Sequence, residues 1–423
     1  MFERVVVIGA GLAGLAAVHA AVPRGGEVRL VDPSFGSSAL SGGAVDDVPW
    51  ESVALACEAR GLCPVARALP AEVEPFVQAL GLWALPKEGE PLCQLATEAG
   101  RIRLARGRDR ALLDLGRLPF GARLILPRVP RPEWEADLLA RALREDPYAR
   151  SQGLHIEAVD AKLLRFVGED RISAADLAQR HDEPARREWL ADRLQETVRA
   201  ERNAGRSVDG ILLGPWLGAA APRAEELSDR VGMALGEILS GVGSAAGQRF
   251  EVARDRMLGA LGLEREPRRA LAVRRQDGEL FVHTDEPPSP MTADRVVLAI
   301  GGLAGGGLRY CPAELEAQPD EPARARMAFG LSLEAPVGLR ANGRRLEVVG
   351  SVHGPALDED GWPGGTEPGL LESVGIAATG PLAAPGIYVA GDALADRPRT
   401  KLEAVRSGLR AGAAAAGEPG RIG

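Results

Sequence analysis

The chain opens on Val5-Val6-Val7-Ile8-Gly9-Ala10-Gly11-Leu12-Ala13-Gly14, and this stretch decides its fold. Residues 5–8 are β-branched and unbroken by polar groups, which suits a central parallel strand buried on both faces. Residues 15–22 are Ala-rich and favour helix, and Pro23, Gly25 and Gly26 end it. Val28-Arg29-Leu30-Val31 is a second strand with Asp32 at its end. Each glycine has a physical task. Gly9 permits a tight turn, Gly11 lets the backbone approach a pyrophosphate, and Gly14 lets the helix lie close to the strand. The helix N-terminus, with Leu12 and Ala13, offers free N–H groups to phosphates. Asp32, eighteen residues after Gly14, is placed to accept from an adenosine ribose, and an acid there argues against NADP. Gly-x-Gly-x-x-Gly alone is a weak signal. Strand, glycines, helix, strand and acid in register point to a dinucleotide site rather than a plain Gly-rich turn.

Residues 5–22 form a run of eighteen without Asp, Glu, Lys or Arg, which on length alone suggests a membrane span or signal peptide. Three glycines and His19 interrupt it, and it leads into a further strand, so a βαβ start is the better reading. No later run is long enough to span.

The 423 residues suffice for two or three domains. Apolar residues make up 45% and charged residues 26%, which excludes long disorder. The net charge of −8 leaves no basic field for nucleic acid or an anionic membrane. Cys57, Cys63, Cys93 and Cys311 form no Cys-x-x-Cys and no metal- or cluster-type spacing. The expectation is a reduced, cytoplasmic chain that holds no metal and hands any electrons onward.

Two later signals extend the first. Residues 294–300 read as another buried strand, leaving through Gly301-Gly302 and Gly305-Gly306-Gly307. Near the end, Ile387-Tyr388-Val389-Ala390 runs into Gly391-Asp392, followed by an Ala-rich helix over 401–416. The trio resembles the two-dinucleotide-fold flavoproteins of the glutathione reductase and fumarate reductase type. That resemblance implies that Gly301 lies near the cofactor, that Gly391 and Asp392 hold the ribityl chain, and that the last helix points its N-terminus at the flavin. Ser38, Ser41, Gly42 and Gly43 lie in a small polar segment able to border a flavin ring, and it contains no His for a covalent link. The expected cofactor is non-covalent FAD; the adenosine-type fingerprint disfavours FMN.

With Ser41-Gly42-Gly43 and Ile211-Leu212-Leu213-Gly214-Pro215-Trp216-Leu217-Gly218 added, the order of features is similar to the B-subunit family of anaerobic glycerol-3-phosphate dehydrogenase. The resemblance implies oxidation of glycerol 3-phosphate to dihydroxyacetone phosphate. It also implies catalytic and iron–sulfur partner subunits leading to quinone, and attachment to the inner membrane only through a partner. Two other readings stay open: a self-contained flavin dehydrogenase or oxidase of an amine or hydroxy acid, and a non-catalytic flavoprotein or cofactor-less scaffold.

The expected fold is α/β: a discontinuous Rossmann-like FAD-binding domain with a central parallel sheet, and an inserted cap or substrate domain. The FAD domain takes residues 1–50, 225–311 and 370–423; the cap takes 51–224 and 312–369. Residues 183–203 read as a charged helix with a solvated face. Residues 227–239 and 250–263 read as amphipathic helices, and 285–290 as a loop. His353, after a strand-like 346–349, is the catalytic candidate, although a lone loop His is more often structural. Arg340, Arg344 and Arg345 suit a substrate anion but are more simply surface arginines. His19 is expected to pack on the first helix, and His155, His181 and His283 show no partner pattern.

Overall fold

The computed structural model describes residues 4–33, 36–48, 65–312 and 375–417, with short strand segments between 324 and 349. Its central sheet has six strands in the order Arg265–Glu266, Glu27–Val31, Arg4–Ile8, Arg295–Leu298, Ile387–Val389, Leu382–Ala384. The first five run parallel and the last antiparallel. Val6 pairs with Arg29 on one side and Val296 on the other, and Val296 pairs in turn with Ile387. Both ends of the chain therefore meet in one sheet.

The helix Leu12–Ala21 makes the crossover between the first two strands, as parallel pairing requires. All of it except His19 is buried, because the sheet covers one side and the closing helix Lys401–Ala415 covers another. Small residues set that spacing. A Cβ on Gly408 would stand 2.2 Å from the Ala13 carbonyl oxygen, and one on Gly412 2.1 Å from that of Ala17. His19 meets Phe76 of the helix Val73–Leu80 edge-to-face at 5.6 Å, and burial lowers its pKa.

A second sheet of four parallel strands runs Ala234–Glu237, Gly210–Leu213, Arg123–Arg128, His155–Asp160. It has its own apolar core around Ile125, Leu143, Leu194, Leu212 and Trp216. A third, mainly antiparallel sheet is built on Ala270–Gln276, Glu279–Thr284 and Met291–Ala293. The α/β architecture, with a dinucleotide-type parallel sheet interrupted by inserts, is the one expected.

Three details correct the expectations. Residues 227–239 are not one helix: Ala224–Val231 stops at Gly232, whose φ of +77° suits glycine, and Ala234–Glu237 is a strand of the second sheet. The boundary at 225 consequently falls inside the second sheet's own βαβ run. Second, Val73–Leu80 shares a core with the first and closing helices, so residues 51–224 do not form one separate cap. Third, the helix Pro184–Asn203 buries Arg186, Arg187 and Glu201, so its charges are not simply solvated. Glu201 joins Arg123 at 2.7 Å and Arg206 at 2.7 Å, which pulls its pKa down to about 2, the Arg206 hydrogen bond acting most.

Candidate functional site

One cavity of about 930 Å³ runs along the C-terminal edge of the central sheet, near the upper end of the ~300–1,000 Å³ usual for small-molecule sites. That edge is where doubly wound sheets place their ligands. Its walls include Gly9, Ala10, Gly11, Leu12, Ala13, Asp32, Ser38, Ser41, Gly42, Gly301, Gly391 and Asp392. Segments nearly four hundred residues apart in sequence thus border one space.

The glycines divide the labour. Gly9 has φ +104°, and a Cβ there would sit 2.2 Å from the Ala299 carbonyl oxygen. A Cβ on Gly14 would lie 1.7 Å from the Gly9 carbonyl oxygen, so Gly14 closes the turn from behind and is not a wall. Gly11 caps the first helix and borders the cavity; among the described residues a Cβ there would meet only Ser38 Oγ, at 3.3 Å. Ser38 Oγ accepts from the Leu12 N–H at 3.0 Å and holds the 37–40 turn over the helix start. Gly43 has φ +109° and turns toward Asp109 and Leu112, behind the wall.

Asp32 lies at the end of the second strand. Burial raises its pKa, while Arg265, at 3.4 Å, opposes the rise. Asp392 borders the same cavity, and burial raises its pKa too, with Arg399 opposing. Its position is fixed locally. The Gly391 N–H donates to Ser407 Oγ of the closing helix at 3.0 Å, and a Cβ on Gly302 would stand 2.8 Å from Asp392 Cβ.

The start of the closing helix, which the resemblance pointed at the flavin, borders the other end of the cavity, and Thr400 and Lys401 were not singled out there. Thr400 caps the closing helix: its Oγ1 accepts from Glu403 N–H and donates to the Asp47 carbonyl at 3.1 Å. The Lys401 ammonium donates to Ser41 Oγ and, at 2.5 Å, to the Ala44 carbonyl. Desolvation lowers the Lys401 pKa to about 8, against the pull of Asp109 and Asp46. Arg103, also a wall residue, donates to Asp46 Oδ2 at 2.7 Å. Asp46 is pushed up to about 6 by burial, with Arg103 and Lys401 opposing. The signal available in the sequence was Lys401 itself, one of three lysines in a chain with 51 basic residues, at the start of the closing helix.

His353 lies outside the described residues, as do Cys57 and Cys63. Arg340, Arg344 and Arg345 fall on the short strands Gly338–Ala341 and Arg344–Arg345. Cys93 is buried, and its thiol is pushed up to about 12. Among the described residues no helix is long and apolar enough to cross a membrane.

The walls suit a dinucleotide. Four cationic side chains (Arg103, Arg269, Arg399, Lys401) and two carboxylates (Asp32, Asp392) border the cavity among the described residues. The excess of positive charge matches a diphosphate, and the carboxylates match sugar hydroxyls.

Comparison with known proteins agrees on the cofactor. Residues 4–49 match the family model described as FAD binding domain. No curated protein matches the chain. Among solved structures it is similar to CabE, an aromatic hydroxylase from angucycline biosynthesis, with 12% identity and a TM-score of 0.32 over 98% of this chain and 63% of that one. It is similar to the OxyS anhydrotetracycline hydroxylase from Streptomyces rimosus, with 12% identity and a TM-score of 0.31 over 98% and 62%. It is also similar to Mycobacterium smegmatis Sdh1 in complex with UQ1, with 14% identity and a TM-score of 0.33 over 98% and 68%. The chain spans less than two thirds of the length of the first two. The N-terminal segment is an FAD-binding one, and the cofactor of this α/β chain is FAD.

Proposed function

We propose that this chain is an FAD-dependent oxidoreductase, acting as a dehydrogenase on a small anionic substrate and passing the electrons to partner subunits. The observation that carries it is the single cavity from Asp32 to Lys401, which unites the N-terminal fingerprint, the polar 37–44 segment and the start of the closing helix. When bound, FAD supplies the electron-accepting ring. Asp32 would hold the adenosine ribose, the Gly9–Ala13 backbone the diphosphate, and Asp392 the ribityl hydroxyls. Ser41, Gly42 and Arg103 line the remaining end, where Arg103 offers a cation to an anion.

Glycerol 3-phosphate, the substrate implied by the sequence resemblance, carries such a charge, and iron–sulfur subunits leading to quinone are the partners implied with it. The test is the visible spectrum of the purified chain before and after anaerobic glycerol 3-phosphate. Bleaching of a flavin spectrum is the expected result. A flavin that stays oxidised with this substrate, alone and with its co-purified partners, removes glycerol 3-phosphate. A chain that cannot take up FAD overturns the oxidoreductase reading.

A further inference from the structure

Lys401 is unusual in how its charge is left. Its ammonium has three donors. Two are used, and both acceptors are neutral: the Ser41 hydroxyl and the Ala44 carbonyl. Among the described residues no carboxylate lies within ion-pair distance of it. The groups around it come from several elements: Asp46 follows the short strand Ala44–Val45, Arg103 lies on Ile102–Ala105 and Asp109 on Gly107–Asp109. Asp46 is already engaged by Arg103, and Asp109 by Arg249 at 3.0 Å. A desolvated cation without a counter-charge is costly, and such groups persist where something else supplies the partner.

The mounting is also rigid. Leu402 N–H donates to the Asp46 carbonyl at 3.1 Å, Thr400 Oγ1 to the Asp47 carbonyl at 3.1 Å, and Lys401 itself to Ala44. The start of the closing helix is thereby tied to residues 41–47. Lys401 is held at the wall of the cavity with one donor unspent.

We propose that Lys401 is a direct ligand of the bound FAD, giving its third N–H and its positive charge to an electron-rich atom of the cofactor. This rests on the FAD reading above and extends it to a residue outside the glycine motif. Exchange for Arg would retain charge but not the compact point donor.

The chain holds only three lysines, Lys87, Lys162 and Lys401, so each can be followed separately. The experiment is trace labelling with acetic anhydride at pH 8, read by peptide mass spectrometry, on the full chain stripped of FAD and reloaded with it. Lys401 labelling is expected to fall at least tenfold on FAD loading, while Lys87 and Lys162 keep theirs. Equal Lys401 labelling in the two states of a chain that does take up FAD overturns the proposal and leaves the FAD reading intact. Failure of the stripped chain to take up FAD overturns both. A second measurement is the FAD dissociation constant of Lys401→Met, expected to rise about tenfold or more for the loss of a charge-assisted hydrogen bond. An unchanged constant in a folded variant also overturns the proposal.

Discussion

Gly11 and Gly14 lie one turn apart and answer to different neighbours. A Cβ on Gly14 would sit 1.7 Å from the Gly9 carbonyl oxygen, within the strand–helix turn itself. Gly14→Ala therefore damages the fold, by about 1–3 kcal/mol or more for an overpacked site. Among the described residues Gly11 has only Ser38 Oγ nearby, and it borders the cavity. Gly11→Ala should cost about 1 kcal/mol as a poorer helix cap, yet weaken FAD at least tenfold. Melting of the two stripped variants beside FAD titrations separates these effects. Equal FAD affinity in Gly11→Ala and the unaltered chain would remove the diphosphate from this turn.

His181 makes a second prediction at this scale. It is buried, Nδ1 lies 2.7 Å from the Trp216 carbonyl, and Nε2 has no partner among the described residues. The ring is thus neutral with its proton on Nδ1, and desolvation lowers its pKa to about 4. The unfolded chain takes up a proton near pH 6.5 that the folded chain refuses until about 4. Stability is full above pH 6.5 and falls as pH drops through that window, by about 3 kcal/mol in all. His181→Gln should remove this slope of about one proton, measured as the difference in urea midpoints between pH 7 and 4.5. A difference that does not change with pH would refute it.

At the scale of elements, the closing helix is the piece that local reading handled only in part. Its extent was legible from the Ala-rich run, and its Gly408 and Gly412 contacts follow from small side chains. That its start faces the cofactor was implied by the resemblance; the parts of Lys401 and Thr400 were not legible, because their partners lie in residues 41–47, some 350 positions away. The glycine motif was legible because its demands are local: a positive φ at Gly9, a close approach at Gly14. The strand Ala234–Glu237 was misread as helix because only Gly232 and Met233 separate it from a true helix, and pairing with Gly210–Leu213 decides its state. Thr400→Ala tests the cap. It removes the acceptor for Glu403 N–H and the bond to the Asp47 carbonyl, and should cost about 1–2 kcal/mol. FAD affinity should fall with it, because residues 41–47 lose one tie to the helix. A melting temperature unchanged within error would show that the cap carries nothing.

At the scale of the molecule, one buried cation joins the parts. Arg249 lies on the helix Ala245–Ala260, which packs on the 37–40 turn of the cofactor site. Its guanidinium reaches Asp109 Oδ2 at 3.0 Å, Glu237 Oε2 at 2.7 Å and the Gly218 carbonyl at 2.6 Å. Asp109 belongs to the strand beside Ala44–Val45, and Glu237 to the second sheet. Arg249, Asp109 and Glu237 are all buried, so the network stands or falls as a unit. Arg249→Met leaves two carboxylates buried without a cation, which should cost about 3–5 kcal/mol. The pH dependence gives the sharper test. Burial already raises the Glu237 pKa, and Arg249 is the chief force opposing it. Without Arg249 the folded-state pKa rises further above that of the unfolded chain. The folded variant then holds a proton that its unfolded form has lost, so its stability increases as pH falls toward the usual carboxylate range. The deficit against the unaltered chain should be larger at pH 8 than at pH 5, in denaturant midpoints measured at both. A deficit of the same size at the two values would mean that Glu237 and Asp109 reach water once Arg249 is gone, and that the second sheet is not fastened to the cofactor site through this cation.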